Sequence, residues 1–148
     1  MAVSFYTEPP LVFQLKNKLL LKQWLNKVVQ TESEEQKKIG NLNYIFCTDD
    51  YLHNMNMEYL QHDTLTDVIT FDNSEKANRI EGDIFISIDR INDNAQTYNV
   101  PINTELSRVM VHGLLHLLGY GDKTDAETQL MRTKENEYLL LIDNALLV

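Results

Sequence analysis

Between residues 109 and 118 the chain is apolar on nearly every side of the helix that its spacing predicts, yet His112 and His116 interrupt it. A helix with no polar face has to be wrapped by the rest of its domain, so this segment is expected to be buried. At about 100° per residue, positions 112 and 116 stand about 40° apart, and both imidazoles leave the same side. Each ring then needs a partner, because an unpaired polar group held away from water is costly.

By itself a His-x-x-x-His pair fits two hydrogen-bonded core histidines better than it fits a metal site. The residues that follow, "LLGYGD", change the reading. Gly119 can take the positive φ that ends a helix, and the chain can then return Asp122 toward the two rings. Two nitrogens and a carboxylate oxygen suit zinc and leave a fourth position open, which is the catalytic form of such a site. One zinc ion held by His112, His116 and Asp122 is therefore expected. The spacing is shared with the metzincin proteases, whose first histidine is followed by a glutamate general base. Position 113 here is Gly, so a peptidase working that way is not expected.

The rest of the chain alternates between strand and helix patterns. "AVSFYTE" reads as a short strand ended by Pro9 and Pro10, and residues 11–30 have helical spacing through Leu15, Leu19, Trp24, Leu25 and Val28. "NLNYIFCT" is rich in strand formers and "DDYLHNMNMEYL" reads as a short helix. "DVITFD" and "GDIFISID" are two further strands. Asn103 or Thr104 is expected to cap the helix that ends at Gly119, and a last amphipathic helix is expected over residues 125–141. This is the pattern of an α+β or mixed α/β fold.

At 148 residues the chain fits one domain spanning 1–148. Its apolar runs are too short for a membrane span and its first residues lack the features of a signal peptide, so a cytoplasmic protein is expected. Cys47 is the single cysteine and reads as a buried, inert thiol. The net charge of −9 excludes a general nucleic-acid coat, whose affinity would come from Lys and Arg on phosphates. The charge is uneven: residues 1–38 carry six lysines against four glutamates, +2, which leaves −11 for the remainder. Only the first helix could offer a basic face, and its lysine pattern reads first as a solvated helix surface.

At "HGLLHLLGYGD" the chain resembles the YbeY family of bacterial metal-dependent endoribonucleases, matching the signature H-G-x-L-H-L-x-G-Y-D-H through Tyr120. Two further family blocks appear in order, "DTLTDVITF" from Asp63 and "GDIFISI" from Gly82. The resemblance implies a zincin-like α+β fold with a small mixed sheet of about four strands, and one zinc ion. It also implies hydrolysis of single-stranded RNA, with 16S rRNA 3′-end maturation and late-stage ribosome quality control on ribosomal particles.

Two departures from the family matter. Its third ligand is histidine where this chain has Asp122, preceded by Gly121 where the family has Asp. An anionic ligand lowers the site charge from about +2 to about +1 and makes a bound water less acidic. A family arginine six residues before Thr66 falls here on Leu60. Arg108 and His62 are candidates to replace it, against a plain ion pair and a solvated loop position. Asp83 reads as a turn or capping residue rather than a base. The catalytic base stays unassigned. The alternatives are another zinc-dependent hydrolase, a peptidase or amidase, or a non-catalytic, ribosome-associated metal-binding protein.

Overall fold

Two apolar runs, residues 38–47 and 79–87, form the centre of the sheet in a computed structural model that describes residues 2–142 and 147–148. The elements in order are β1 (Ala2–Thr7), α1 (Lys18–Glu32), β2 (Lys38–Cys47), α2 (Asp49–Leu60), β3 (Val68–Asp72) and β4 (Arg79–Ser87). α3 (Ile88–Tyr98), α4 (Ile102–Leu117) and α5 (Asp125–Leu139) complete the described chain. The sheet order is β1-β2-β4-β3, with β1–β2 and β2–β4 parallel and β3–β4 antiparallel. This is an α+β domain with a four-stranded mixed sheet and five described helices, as the sequence leads one to expect.

Both faces of the central strands are covered, which is why they read as nearly continuous apolar runs. Leu42, Tyr44 and Phe46 of β2 and Ile84 and Ile86 of β4 pack with α1 and α4 in the main core. Cys47, Ile69, Phe71 and Phe85 turn to the other face, under α2. Cys47 is fully buried, and burial, with Glu8, Asp49 and Asp89 nearby, pushes its thiol up to about 12, so it is inert as expected.

α4 lies directly on this sheet. A Cβ on Gly113 would come within 2.9 Å of Ile84 Cγ2 and 3.2 Å of Thr70 Oγ1, and those two residues face each other across β3 and β4. The residue after His112 therefore points into the sheet, where no glutamate base fits. At the end of α4, Gly119 takes φ 105°. Gly119 N donates to His116 O at 3.0 Å and Tyr120 N to Leu115 O at 3.0 Å, the pair of bonds that closes a Schellman turn. Glu32, at the end of α1, accepts from the hydroxyls of Tyr120 and Tyr138 and from Lys134 Nζ, which pins this turn to α1 and α5.

Several local expectations need correction. The first helix starts at Lys18 rather than residue 11: Asn17 sits at φ 57°, and Lys16 N donates to Leu147 O at 2.7 Å, so the preceding segment follows the C-terminal residues. The strand expected to reach Asp89 ends at Ser87, whose hydroxyl accepts from Arg90 N at 3.2 Å and caps α3. Pro101 holds the cap position of α4, and Asn103 Oδ1 instead accepts from Leu147 N and Val148 N. Asp83 lies within β4, neither turn nor cap, and accepts from Asn43 and Asn73 on the α2 face of the sheet. The last helix ends at Leu139, two residues short. No helix among the described residues is long and apolar enough to cross a membrane.

Gly113→Ala should lower the free energy of unfolding by about 1–3 kcal/mol, since the added methyl overlaps β-sheet side chains that are already packed. Urea unfolding would check this, and an unchanged midpoint would contradict the close seating of α4.

Candidate metal centre

α4 presents His112 and His116 on one side, and the turn after Gly119 brings back Asp122. The three ligand atoms converge: His112 Nε2 and His116 Nε2 are 3.0 Å apart, and Asp122 Oδ2 is 3.4 Å from the first and 3.2 Å from the second. Ligands on a tetrahedral zinc, with bonds of about 2.0–2.1 Å, stand about 3.3–3.4 Å from one another. Among the described residues these three form the one group of His, Cys, Asp or Glu gathered closely enough to hold a metal ion.

The outer nitrogens explain why the inner ones are free. His112 Nδ1 lies 2.7 Å from Glu135 Oε2, and His116 Nδ1 lies 2.8 Å from the carbonyl oxygen of Tyr120. A carboxylate and a carbonyl only accept, so both rings carry their proton on Nδ1. Two Nε2 lone pairs and a carboxylate oxygen then face one another at hydrogen-bond distance. That arrangement repels itself unless a cation sits among the three, and a metal ion fits the donor set. Burial works against a charge on His112. The hydrogen bond and charge of Glu135, with Asp122 and Asp67 nearby, outweigh it and hold His112 above its ordinary value. In metal-free protein a proton is thus the competing cation, and metal binding displaces it.

Glu135 was not singled out in the sequence, although it organises this side of the site. Its Oε1 accepts from Arg108 Nη1 at 2.9 Å, and Arg108 Nη2 donates to Asn136 at 2.8 Å. Burial raises the Glu135 carboxyl, but His112 and Arg108 more than compensate and hold it below the usual range. Arg108 lines the cleft, and its guanidinium is committed to an ion pair with Glu135.

Two adjoining cavities, of about 280 and 600 Å³, share Asp67, Val68, His112 and Asp122, so the triad lies at the waist of one cleft. His62, Leu60 and Lys123 line the larger cavity. Arg108 and Arg132 line the smaller one, together with Asp67 and Glu105. The cations at the cleft are thus Arg108, Arg132 and Lys123. The lysines of α1, expected to supply a basic face, line neither cavity. Burial raises the Asp67 carboxyl, opposed by His112. Glu105 is 4% exposed, and burial, reinforced by Asp67 and opposed by Arg108, pushes its carboxyl up to about 7.

Fold and site together define a class: an α+β protein with a His-x₃-His-x₅-Asp donor set in a cleft, suited to a hydrolytic metal. Residues 12–143 match the family model described as Endoribonuclease YbeY. Among relatives of that name, the chain is 50% identical over 137 residues to the one from Cytophaga hutchinsonii, covering 93% of this chain and 94% of that protein. It is 50% identical over 129 residues to the one from Flavobacterium johnsoniae (87% and 90%), and 48% over 136 residues to the one from Amoebophilus asiaticus (92% and 90%). The solution structure of TM1509 from Thermotoga maritima superposes with a TM-score of 0.60 at 25% identity, covering 93% of this chain and 87% of that one. The chain belongs to the Endoribonuclease YbeY family.

Glu135→Gln should weaken zinc affinity about 10–100-fold, because an amide holds the His112 tautomer less firmly than a carboxylate. Competition with a chromophoric chelator measures this, and unchanged affinity would contradict the assigned role. Glu105 gives a pH signature in metal-free protein. Its folded pKa of about 7 lies above the ordinary 4.5, so the folded state holds a proton that the unfolded state releases. Its contribution to stability is therefore lost as pH rises through that window. The stability difference between wild type and Glu105→Gln should shift in favour of the variant from pH 4.5 to about 7 and then level off. A difference that stays constant across the window would contradict it.

Proposed function

We propose that the chain is a single-strand-specific endoribonuclease that uses one zinc ion held by His112, His116 and Asp122. We assign it to 16S rRNA 3′-end maturation and late-stage ribosome quality control in the cytoplasm. Family membership makes the chain an endoribonuclease, a hydrolase acting on RNA. The observation that carries the metal reading is the convergence of two Nε2 atoms, each on a ring whose Nδ1 faces a fixed acceptor, and one carboxylate oxygen at the waist of an open cleft. When bound, zinc supplies a nucleophile at neutral pH and polarises a phosphoryl oxygen.

The protein's own residues do the positioning. Glu135 and the Tyr120 carbonyl fix the two rings, and the Schellman turn and Thr128, whose hydroxyl donates to Asp122 O at 3.1 Å, hold the third ligand. Arg132, with its side chain 59% exposed, and the exposed Lys123 flank the triad from the two cavities and are available to phosphate oxygens. A peptidase reading is disfavoured by Gly113, whose side of α4 is filled by Ile84 and Thr70.

The test is cleavage of a single-stranded RNA bearing a 16S 3′-terminal sequence, with zinc content read on the same samples. His116→Ala should lose its zinc and at least about a hundredfold of the cleavage rate together. Full zinc retained by a His112→Ala, His116→Ala double variant would contradict the metal assignment. With the exposed Lys123 and Arg132, the latter 3.5 Å from Glu135 Oε1, as the cations offered to phosphate at the cleft, log affinity should fall against log salt with a slope of about −1 to −2, at about −0.7 per phosphate contact. A slope near −4 or steeper would place other basic surface in contact with RNA.

A further inference from the structure

We infer that the smaller cavity beside the metal triad is a nucleobase subsite, which admits one unstacked base from the RNA strand and favours a base bearing an exocyclic amino group, guanine foremost, over uracil. The inference rests on the ribonuclease reading above and specifies what the cleft recognises beyond the phosphate. The cavity holds about 280 Å³ and opens onto His112 and Asp122. Its size lies near the lower end of small-ligand pockets.

The lining suits a base rather than a phosphate. Glu105 is 4% exposed, lines this cavity, and has no hydrogen bond or ion pair from its carboxylate among the described residues. Its carboxylate oxygens reach the solvent of this cavity, where a donor on a ligand can replace water. Asp67 lines the same cavity, and Asn94 turns its amide nitrogen toward Asp67 Oδ2 at 3.4 Å, which leaves the Asn94 carbonyl oxygen as an acceptor. Once Glu105 is ionised, above about pH 7, these groups are mainly acceptors. They complement the N1–H and N2–H₂ edge of guanine and, less fully, the amino groups of adenine and cytosine. Uracil offers one N3–H donor between two carbonyl oxygens and complements them least. Tyr98 and Met131 supply apolar walls on which a flat ring can lie.

Arg132 lines the same cavity and keeps its side chain largely exposed, a position suited to the phosphate of a base that has entered. A base can enter only after leaving its stack, which a single strand permits at low cost and a duplex does not. The cavity is therefore also a source of single-strand selectivity.

Two measurements test the subsite. The first does not depend on cleavage: titration of the zinc-loaded protein with guanosine 5′-monophosphate and with uridine 5′-monophosphate, followed by NMR. The guanosine nucleotide should shift the amides of Asn94, Tyr98, Glu105 and Met131 and bind about tenfold more tightly than the uridine nucleotide. Glu105→Gln should remove most of that difference. Shifts elsewhere, or equal binding of the two nucleotides, would overturn the inference whether or not the protein cleaves RNA. The second uses oligouridine carrying a single guanosine at successive positions. One position relative to the cut should raise kcat/KM about tenfold in wild type and much less in Glu105→Gln. Cleavage indifferent to the base at every position would overturn the subsite and leave the ribonuclease reading intact. No cleavage of any oligonucleotide would count against the ribonuclease reading instead.

Discussion

The seating of α4 on the sheet is the constraint on which the site depends. Gly113 brings the helix backbone against Thr70 and Ile84, and that contact sets the rotation of the helix about its axis. With that rotation fixed, His112 and His116 face the cleft rather than the core. The chain beyond Gly119 then has only a short distance to cover before Asp122 meets them. Packing of this kind has discrete solutions, because interiors are close-packed and a helix cannot rotate gradually past β-branched side chains. The missing glutamate after the first histidine is a consequence of the same contact, since the side chain at 113 would point into the sheet.

The chemistry at the waist of the cleft follows from where protons are placed. Glu135 and the Tyr120 carbonyl each accept a hydrogen bond from the Nδ1–H of one ring, and so both Nε2 atoms are turned toward Asp122. The protein thereby holds three donors against their mutual repulsion, which is what a preorganised metal site requires. Glu135 connects this arrangement to Arg108, so the ring of His112 is positioned by a charge network that spans α4 and α5. Asp122 adds a negative charge to the ligand set, and its exposure, with the side chain 44% accessible, keeps that side of the site open to the cleft.

The three donors are legible in the sequence because local geometry alone brings them together: one helical repeat, one glycine and a short turn. The central strands are legible for the same reason, as apolar runs bounded by turn residues. The supporting residues are not. Glu135 lies on a helix that also carries Glu127 and Glu137, and only the packing of α5 against α4 selects it to meet His112. Glu105 reads in the sequence as a first-turn acid of α4 and becomes a buried carboxyl only when α3 and α5 close over it. The segment before α1 is held by a contact between Lys16 and Leu147, distant in sequence, and no local pattern carries that information. The expected basic face of α1 is real as composition, but the topology places it away from the cleft.

The central claim is that the fold presents two histidines whose Nδ1–H groups are held by fixed acceptors and whose Nε2 atoms are aimed at one shared point. Long-range ¹H–¹⁵N spectra of the imidazole rings, recorded before and after one equivalent of zinc, test it most directly. The account predicts that both rings keep an Nδ1 proton throughout. With zinc, the Nε2 resonances of His112 and His116 should move together to metal-bound positions as a proton is released. A persistent Nε2 proton on either ring in the zinc-loaded protein would contradict it, because the metal would then be held somewhere other than between these two helical positions.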